Sequence, residues 1–172
     1  ETGTSGELIR SIDSPNAETS GRFGNDVSGV PDTDGDGRGD LLVGAHQELG
    51  TNGGRAYVFS GATGVLLHTL ISPNIETEGR FGDSVSGVPD LDGDGRGDLV
   101  VGSIEDAGAV NAGRVYGFSG ATGELLHTFA SPNAQDQGGF GGAGVRVLSG
   151  VPDTDGDGQG DIAIGAPYED EE

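Results

Sequence analysis

Three stretches of this chain set carboxylates at alternate positions among glycines. They read D-T-D-G-D-G-R-G-D from Asp32, D-L-D-G-D-G-R-G-D from Asp90 and D-T-D-G-D-G-Q-G-D from Asp153. The acidic side chains are Asp32, Asp34, Asp36 and Asp40, then Asp90, Asp92, Asp94 and Asp98, then Asp153, Asp155, Asp157 and Asp161. A pliable loop that turns alternate carboxylates inward is how a hard cation such as Ca²⁺ collects its roughly six to eight oxygens. The sixth position of each loop is Gly37, Gly95 or Gly158, which permits the positive φ that aims the next carbonyl inward. The seventh, Arg38, Arg96 or Gln159, is therefore expected to contribute a backbone oxygen and send its side chain to solvent. An all-oxygen donor set argues against zinc and for about three Ca²⁺ ions, one per loop, with Mg²⁺ as second choice because it demands stricter octahedral geometry. The alternative is an acidic surface turn with no ion. Four carboxylates this close would then raise one another's pKa, and the threefold recurrence favours a site.

The loops diverge from an EF-hand where that loop closes. Its bidentate Glu at the twelfth position is replaced by Val43, Val101 and Ile164. Asp40, Asp98 and Asp161 are thus left to close the cage. Two of these complete an Arg-Gly-Asp tripeptide, Arg38-Gly39-Asp40 and Arg96-Gly97-Asp98, whereas the third copy reads Gln159-Gly160-Asp161. A carboxylate committed to a cation cannot also reach a receptor, so the adhesion-like spelling is expected to be coincidental.

The elements that hold the loops repeat with them. S-P-N-A-E-T-S-G-R-F-G begins at Ser14, S-P-N-I-E-T-E-G-R-F-G at Ser72 and S-P-N-A-Q-D-Q-G-G-F-G at Ser131, dividing the chain into units of about 14–71, 72–130 and 131–172. The third unit carries four extra residues between Phe140 and Pro152. Each unit reads as short strands and no helix. R-F-G-N-D-V-S-G-V is a Gly-containing strand A, D-L-L-V-G-A is an apolar strand B buried on both faces, and R-A-Y-V-F-S-G is an alternating strand C. G-A-T-G is a tight turn into G-V-L-L-H-T-L-I-S, strand D, and the acidic loop joins A to B. Four strands at this period predict an all-β fold, with β-propeller blades of four antiparallel strands. T-S-G-E-L-I-R-S-I-D-S-P-N at Thr4 matches strand D, so residues 1–13 are expected as a leading outer strand. The last unit stops after strand B. The order D, ABCD, ABCD, AB amounts to about three blades, an incomplete ring or one completed by other blades or other chains. Open edges of that kind invite strand sharing, so a homo-oligomer, either a closed ring or a filament, is expected.

Composition narrows the partners. The 172 residues suffice for one domain with a core. A net charge of −21 repels phosphate backbones and anionic membranes, so neither nucleic acid nor membrane insertion is expected. The absence of Cys removes disulfides and thiolate sites and leaves metal as the staple. The chain opens on Glu1 rather than Met, and a start segment is expected to have preceded it.

Phe23-Gly24, Phe81-Gly82 and Phe140-Gly141, the acidic loops, and Gly44-Ala45 and Gly165-Ala166-Pro167 together resemble the FG-GAP repeat of integrin α-subunit propellers and their microbial relatives. His46 and Ile104 stand where the final Pro would be in the first two units, and Gly102-Ser103 is a further departure. The resemblance covers nearly the whole chain, implies a single FG-GAP domain over 1–172, and implies Ca²⁺ in the A–B loops on one rim of a propeller that usually has about seven blades.

No constellation for catalysis emerges. His68 and His127 occupy equivalent places in strand D and His46 stands alone, so structural roles are expected. The serines of Ser60-Gly61 and Ser119-Gly120 are turn residues and no G-x-S-x-G elbow occurs. Tyr57, Tyr116, Phe23, Phe81 and Phe140 are expected to pack between blades. The expectation is a non-enzymatic, extracellular, secreted or cell-surface structural or adhesion module. The alternative is a carbohydrate- or protein-binding propeller module of a larger secreted protein or enzyme, with contacts from loops such as H-Q-E-L-G-T-N-G-G and S-I-E-D-A-G-A-V-N-A-G.

Overall fold

The computed structural model describes residues 7–105, 110–142 and 146–169. Strands β1 (Val27–Val30), β2 (Asp40–Ala45), β3 (Arg55–Phe59) and β4 (Leu66–Leu70) form one antiparallel sheet in chain order. Strands β5 (Ser84–Val88), β6 (Asp98–Ser103), β7 (Arg114–Phe118) and β8 (Leu125–Ala130) form a second, and β9 (Leu148–Val151) pairs with β10 (Asp161–Ile164) in a third. These are blades with strands A to D in order, the third holding only A and B among the described residues. No helix among them is long and apolar enough to cross a membrane.

Alternation along each strand explains the stacking, because successive side chains point to opposite faces. In the first blade Leu42, Ala56 and Val58 face the second blade, where they meet Phe81, Leu99 and Val101. Val43, Tyr57 and Phe59 turn the other way. In the second blade Val100 and Val115 face the third and meet Phe140, Leu148 and Ile162. β6 is therefore buried on both faces throughout and β2 from Leu42 to Ala45, which is why strand B reads as an almost unbroken apolar run. The three A strands lie side by side. The Asp26 carboxylate accepts from the Val85 amide at 2.9 Å and the Ser28 hydroxyl from the Gly87 amide at 3.0 Å. One step on, the Ser86 hydroxyl accepts from the Gly150 amide at 3.4 Å. The longer approach to strand A in the third unit brings Arg146 back to the first blade, 2.7 Å from Asp26.

Glycine governs how closely blades approach. The Gly24 amide donates to the Gly44 carbonyl at 2.9 Å, Gly82 to Gly102 at 3.0 Å and Gly141 to Gly165 at 2.9 Å, so FG and GA glycines pair within each blade. Between blades, a Cβ on Gly44 would sit 2.1 Å from the Gly82 carbonyl oxygen, and one on Gly102 would sit 1.7 Å from that of Gly141. The F-G and G-A signatures are thus two ends of one contact repeated around the fold. Phe23 and Phe81 then stack on strand C of their own blades, Phe23 at 5.8 Å from Tyr57 and Phe81 at 5.9 Å from Tyr116 between ring centroids.

The leading segment differs from expectation. Its described part, residues 7–13, belongs to no sheet, and Leu8 and Ile9 are each 80% exposed. An outer strand takes its ladder from a strand C, and among the described residues no strand pairs with this segment. The segment instead lies along the open face of the first blade. There Arg10 donates to the Ala62 carbonyl at 3.0 Å, and Ile12 packs with Phe23 on the Val43–Tyr57 face. Residues 1–6 lie outside the described residues.

Gly29 and Gly87 share the context V-S-G-V-P but not the neighbourhood. A Cβ on Gly87 would lie 2.3 Å from the Gly29 carbonyl oxygen, whereas one on Gly29 meets nothing within 4 Å. Gly87→Ala is expected to cost about 1–3 kcal/mol through overpacking, a fall in melting temperature of roughly 2–12 °C. Gly29→Ala should leave the melting temperature unchanged or raise it slightly. Equal shifts for the two variants, measured by calorimetry on this 172-residue chain, would contradict the stacking.

Candidate metal centres

Each acidic loop is organised by its first aspartate. Asp32 accepts from the Gly35 and Gly37 amides at 2.7 Å each, Asp90 from Gly93 and Gly95 at 2.6 Å each, and Asp153 from Gly156 at 2.6 Å and Gly158 at 2.9 Å. The third and fifth carboxylates make the same local turn: the Asp36 amide donates to Asp34 and the Arg38 amide to Asp36, at 3.0 and 2.8 Å. These bonds exist because the glycines take φ of 83–90°, a region costly for other residues. They also offset like-charge repulsion. Gly37, with Gly35 and Asp36, donates to the Asp32 carboxylate and holds it below the usual aspartate pKa, and Gly156 and Gly158 do the same for Asp153. At Asp90 burial pushes upward, and the amides of Gly95 and Gly93 outweigh it.

One carboxylate oxygen from each of Asp32, Asp34 and Asp36 falls within 4.8 Å of the others, and likewise for Asp90, Asp92 and Asp94. In the third loop the convergent set is Asp153, Asp155 and Asp161. Every donor is an oxygen, and the spread suits a hard divalent cation, so the residues fit the ion that the spacing implies.

Asp40 and Asp98 are placed differently, beneath the loops at the start of strand B. Asp40 is 2% exposed; it accepts from the Thr33 amide at 2.8 Å through one oxygen and from the Gly61 amide at 2.9 Å through the other. Asp98 is fully buried and accepts from Leu91 at 2.6 Å and Gly120 at 2.8 Å. Burial pushes Asp98 up to about 6 against these two amides, with the Asp92 and Asp94 charges adding to the rise. Burial also decides the tripeptide question, because neither Arg-Gly-Asp presents its aspartate to solvent. Arg96 is engaged as well: it donates to the Thr33 carbonyl of the preceding loop at 2.7 Å. Gly97 donates to the Asp32 carbonyl at 3.2 Å and Gly160 to that of Asp90 at 2.7 Å, so neighbouring loops touch along one rim. Arg38 and Gln159 donate their own amides to Asp36 and Asp157.

A second repeated polar cluster escapes a reading by spacing of acids. Glu48 is 1% exposed, takes hydrogen bonds from the Ser14 hydroxyl at 2.7 Å and from the Tyr57 hydroxyl, and lies 3.4 Å from Arg55. Glu105 is 1% exposed, takes the Tyr116 hydroxyl and lies 4.0 Å from Arg114. Glu169 accepts from Ser131 at 2.7 Å. Burial, with the adjoining carboxylates, pushes both tyrosine hydroxyls above their ordinary range. Glu18 completes the first cluster. Arg55 at 2.8 Å, helped by Asn16, draws its carboxyl down to about 2. The sequence signal is the recurrence of a Glu eight, seven and eight residues after the last Asp of each loop, together with Ser-Pro-Asn in each unit.

The histidines are structural in position. The His68 ring lies 2.9 Å from the Gly120 carbonyl of the next blade, and His127 packs on Phe129. His46 is buried 3.6 Å from Asp83, and burial holds its pKa low against that carboxylate, with Arg22 and Arg80 also opposing the protonated form.

The FG-GAP repeat profile matches residues 23–59, 81–118 and 144–172, each match enclosing one acidic loop. Over 144 residues, 78% of this chain, the sequence is 34% identical to integrin alpha-4 of Xenopus laevis. It is 33% identical over 156 residues, 84% of the chain, to human integrin alpha-IIb, and 38% identical over 112 residues, 62% of the chain, to human integrin alpha-11. The matched region spans 13%, 14% and 9% of those three proteins. With the same blade built around each matched repeat, the chain belongs to the FG-GAP repeat family and is an integrin α-like β-propeller segment.

Proposed function

We propose that this chain is a calcium-stabilised, non-enzymatic propeller module that works outside the cell in adhesion or as a structural element. The observation that carries the reading is the threefold convergence of carboxylates, each trio backed by amides that orient it before any ion arrives. Calcium would supply the positive charge these trios lack. Asp32, Asp34 and Asp36, then Asp90, Asp92 and Asp94, then Asp153, Asp155 and Asp161 would hold it from above. Asp40 and Asp98 would tie their loops to strand B, and Asp157 with the carbonyls of Arg38, Arg96 and Gln159 would complete the donors. An external setting is consistent with the likeness to integrin alpha chains and with sites that need abundant calcium. Head-to-tail self-association is supported by the two-stranded third sheet and the exposed Leu8 and Ile9.

A cation that binds only the folded state adds about 2.7 kcal/mol per site at a hundredfold excess over Kd. Calcium is expected to raise the melting temperature by roughly 5–11 °C for each occupied site, with magnesium weaker. Calorimetric titration should count three ions and Asp92→Asn should reduce the count to two. A melting temperature indifferent to excess EDTA would sink the calcium reading. Light scattering in calcium should show particles larger than one chain that shrink on chelation; a monomer under both conditions would remove the assembly reading.

A second reading, a glycan- or protein-binding module, is favoured by one surface. A cleft of about 430 Å³ opens between Ile104, Asn111, Asp136, Gln137 and Tyr168. Planar amides and a carboxylate beside an exposed tyrosine are the groups that hold hydroxyl-rich or peptide ligands. Retention of ligands on a glycan array that is lost with Tyr168→Ala would support it, and an array without signal would count against the glycan form.

A further inference from the structure

The acidic loops along the rim share a main-chain contact but not the side chain beside it. The Gly97 amide donates to the Asp32 carbonyl at 3.2 Å, and the Gly160 amide to the Asp90 carbonyl at 2.7 Å. A Cβ on Gly97 would lie 2.6 Å from the Pro31 Cβ, and one on Gly160 would lie 2.5 Å from the Pro89 Cβ. The backbone therefore seats the second loop on the first as it seats the third on the second. The residue before each of these glycines breaks the symmetry, because Arg96 is a cation and Gln159 is neutral.

Arg96 leaves its own loop and lies on the preceding one. It donates through Nη1 to the Thr33 carbonyl at 2.7 Å. Its Nη2 is 3.0 Å from where a Cβ on Gly35 would stand, whereas one on Gly93, the equivalent glycine of the second loop, would meet nothing within 4 Å. Thr33 and Gly35 flank Asp34, with Asp32 and Asp36 one step further out on either side. The guanidinium thus rests on the backbone that carries the first carboxylate trio. Its charge is felt there: behind the amides of Gly37, Gly35 and Asp36, Arg96 helps to hold the Asp32 carboxylate ionised.

We infer that Arg96 sets the cation affinity of the first loop, as a tethered positive charge that the first trio has and the second lacks, so that the first loop binds calcium more weakly than the second. The inference rests on the calcium reading. Two effects of the guanidinium oppose each other. As a hydrogen-bond donor it steadies the first loop, which favours an ion, and as a charge it repels one. The steadying is shared, because Gly97 ties the same loop through the Asp32 carbonyl and Gly35 and Gly37 orient the Asp32 carboxylate from within. The charge has no such substitute, and a divalent ion feels it doubly. At a solvated rim, a unit charge beside a divalent ion shifts its dissociation constant by about three- to tenfold. The seventh residue of one loop thereby grades the affinity of the loop before it.

Nuclear magnetic resonance on the intact chain, with calcium activity fixed by a chelator buffer, tests the inference. The amides of Gly37 and Gly95, each donated to the first aspartate of its loop, report the two sites separately. Gly95 should reach its bound position at about three- to tenfold lower calcium than Gly37. Arg96→Gln, which introduces the residue type of the third copy, should tighten the first loop by that factor. Arg96→Lys, which keeps the charge, should leave the gap between the loops near its original size. Gln159→Arg should weaken the second loop. Added salt should narrow the gap in the parent chain, because it screens the charge. Equal midpoints in the parent chain, or a first loop that Arg96→Gln weakens or leaves unchanged, would overturn the inference while the calcium reading stands. Glycine amides indifferent to saturating calcium would overturn both.

Discussion

The close approach of neighbouring sheets is the constraint on which the rest depends. Glycines 24, 44, 82, 102, 141 and 165 form one row, alternately joined by a hydrogen bond within a blade and by a carbonyl set against a bare Cα between blades. A side chain at Gly44 or Gly102 would force the sheets apart. The faces that now bury Leu42, Val58, Leu99 and Val100 would then open to water. A sheet with two apolar faces has no stable existence alone, so adjacency is a condition of folding rather than a consequence of it.

The same stacking sets the electrostatics. A chain of net charge −21 would be expected to spread its carboxylates apart, yet twelve of them are gathered into three loops. Amides make this tolerable: glycines in the left-handed region turn their N–H groups onto the first aspartate of each loop. Stacking then brings successive loops into contact through Gly97, Gly160 and Arg96, so that one loop's shape depends on its neighbour's. Away from the loops, buried Glu48 and Glu105 take hydroxyls and guanidinium groups from strand C. A buried carboxylate stripped of those donors is costly, which makes the two clusters locks on blade composition. The acidic loops hold A to B, and the glutamates hold C to the rest.

Much of this was legible in the sequence. Strand types, their order and the incomplete third blade follow from repetition and from the switch between apolar runs and alternation. The loops follow from Asp and Gly at alternating positions, because few other residue sets make an oxygen-lined turn. Local patterning did not reveal the leading segment. Leu-x-x-x-Ile in T-S-G-E-L-I-R-S-I matches strand D, but a strand exists only where a partner offers a ladder, and residues 7–13 have none. Tyr57 and Tyr116 read as apolar packing residues; that their hydroxyls reach a glutamate nine and eleven positions earlier in the chain depends on how the B–C connection folds back.

The sequence by itself determined an all-β repeat, three acidic loops of defined spacing, and the absence of thiol chemistry, because each is a matter of residue type and period. Only the tertiary structure decided which aspartates converge and which lie beneath the loop: Asp40 and Asp98 are drawn to the Gly61 and Gly120 amides of a turn some twenty residues away. It also decided that the aspartate of each Arg-Gly-Asp is closed to solvent, since exposure depends on what packs above a residue.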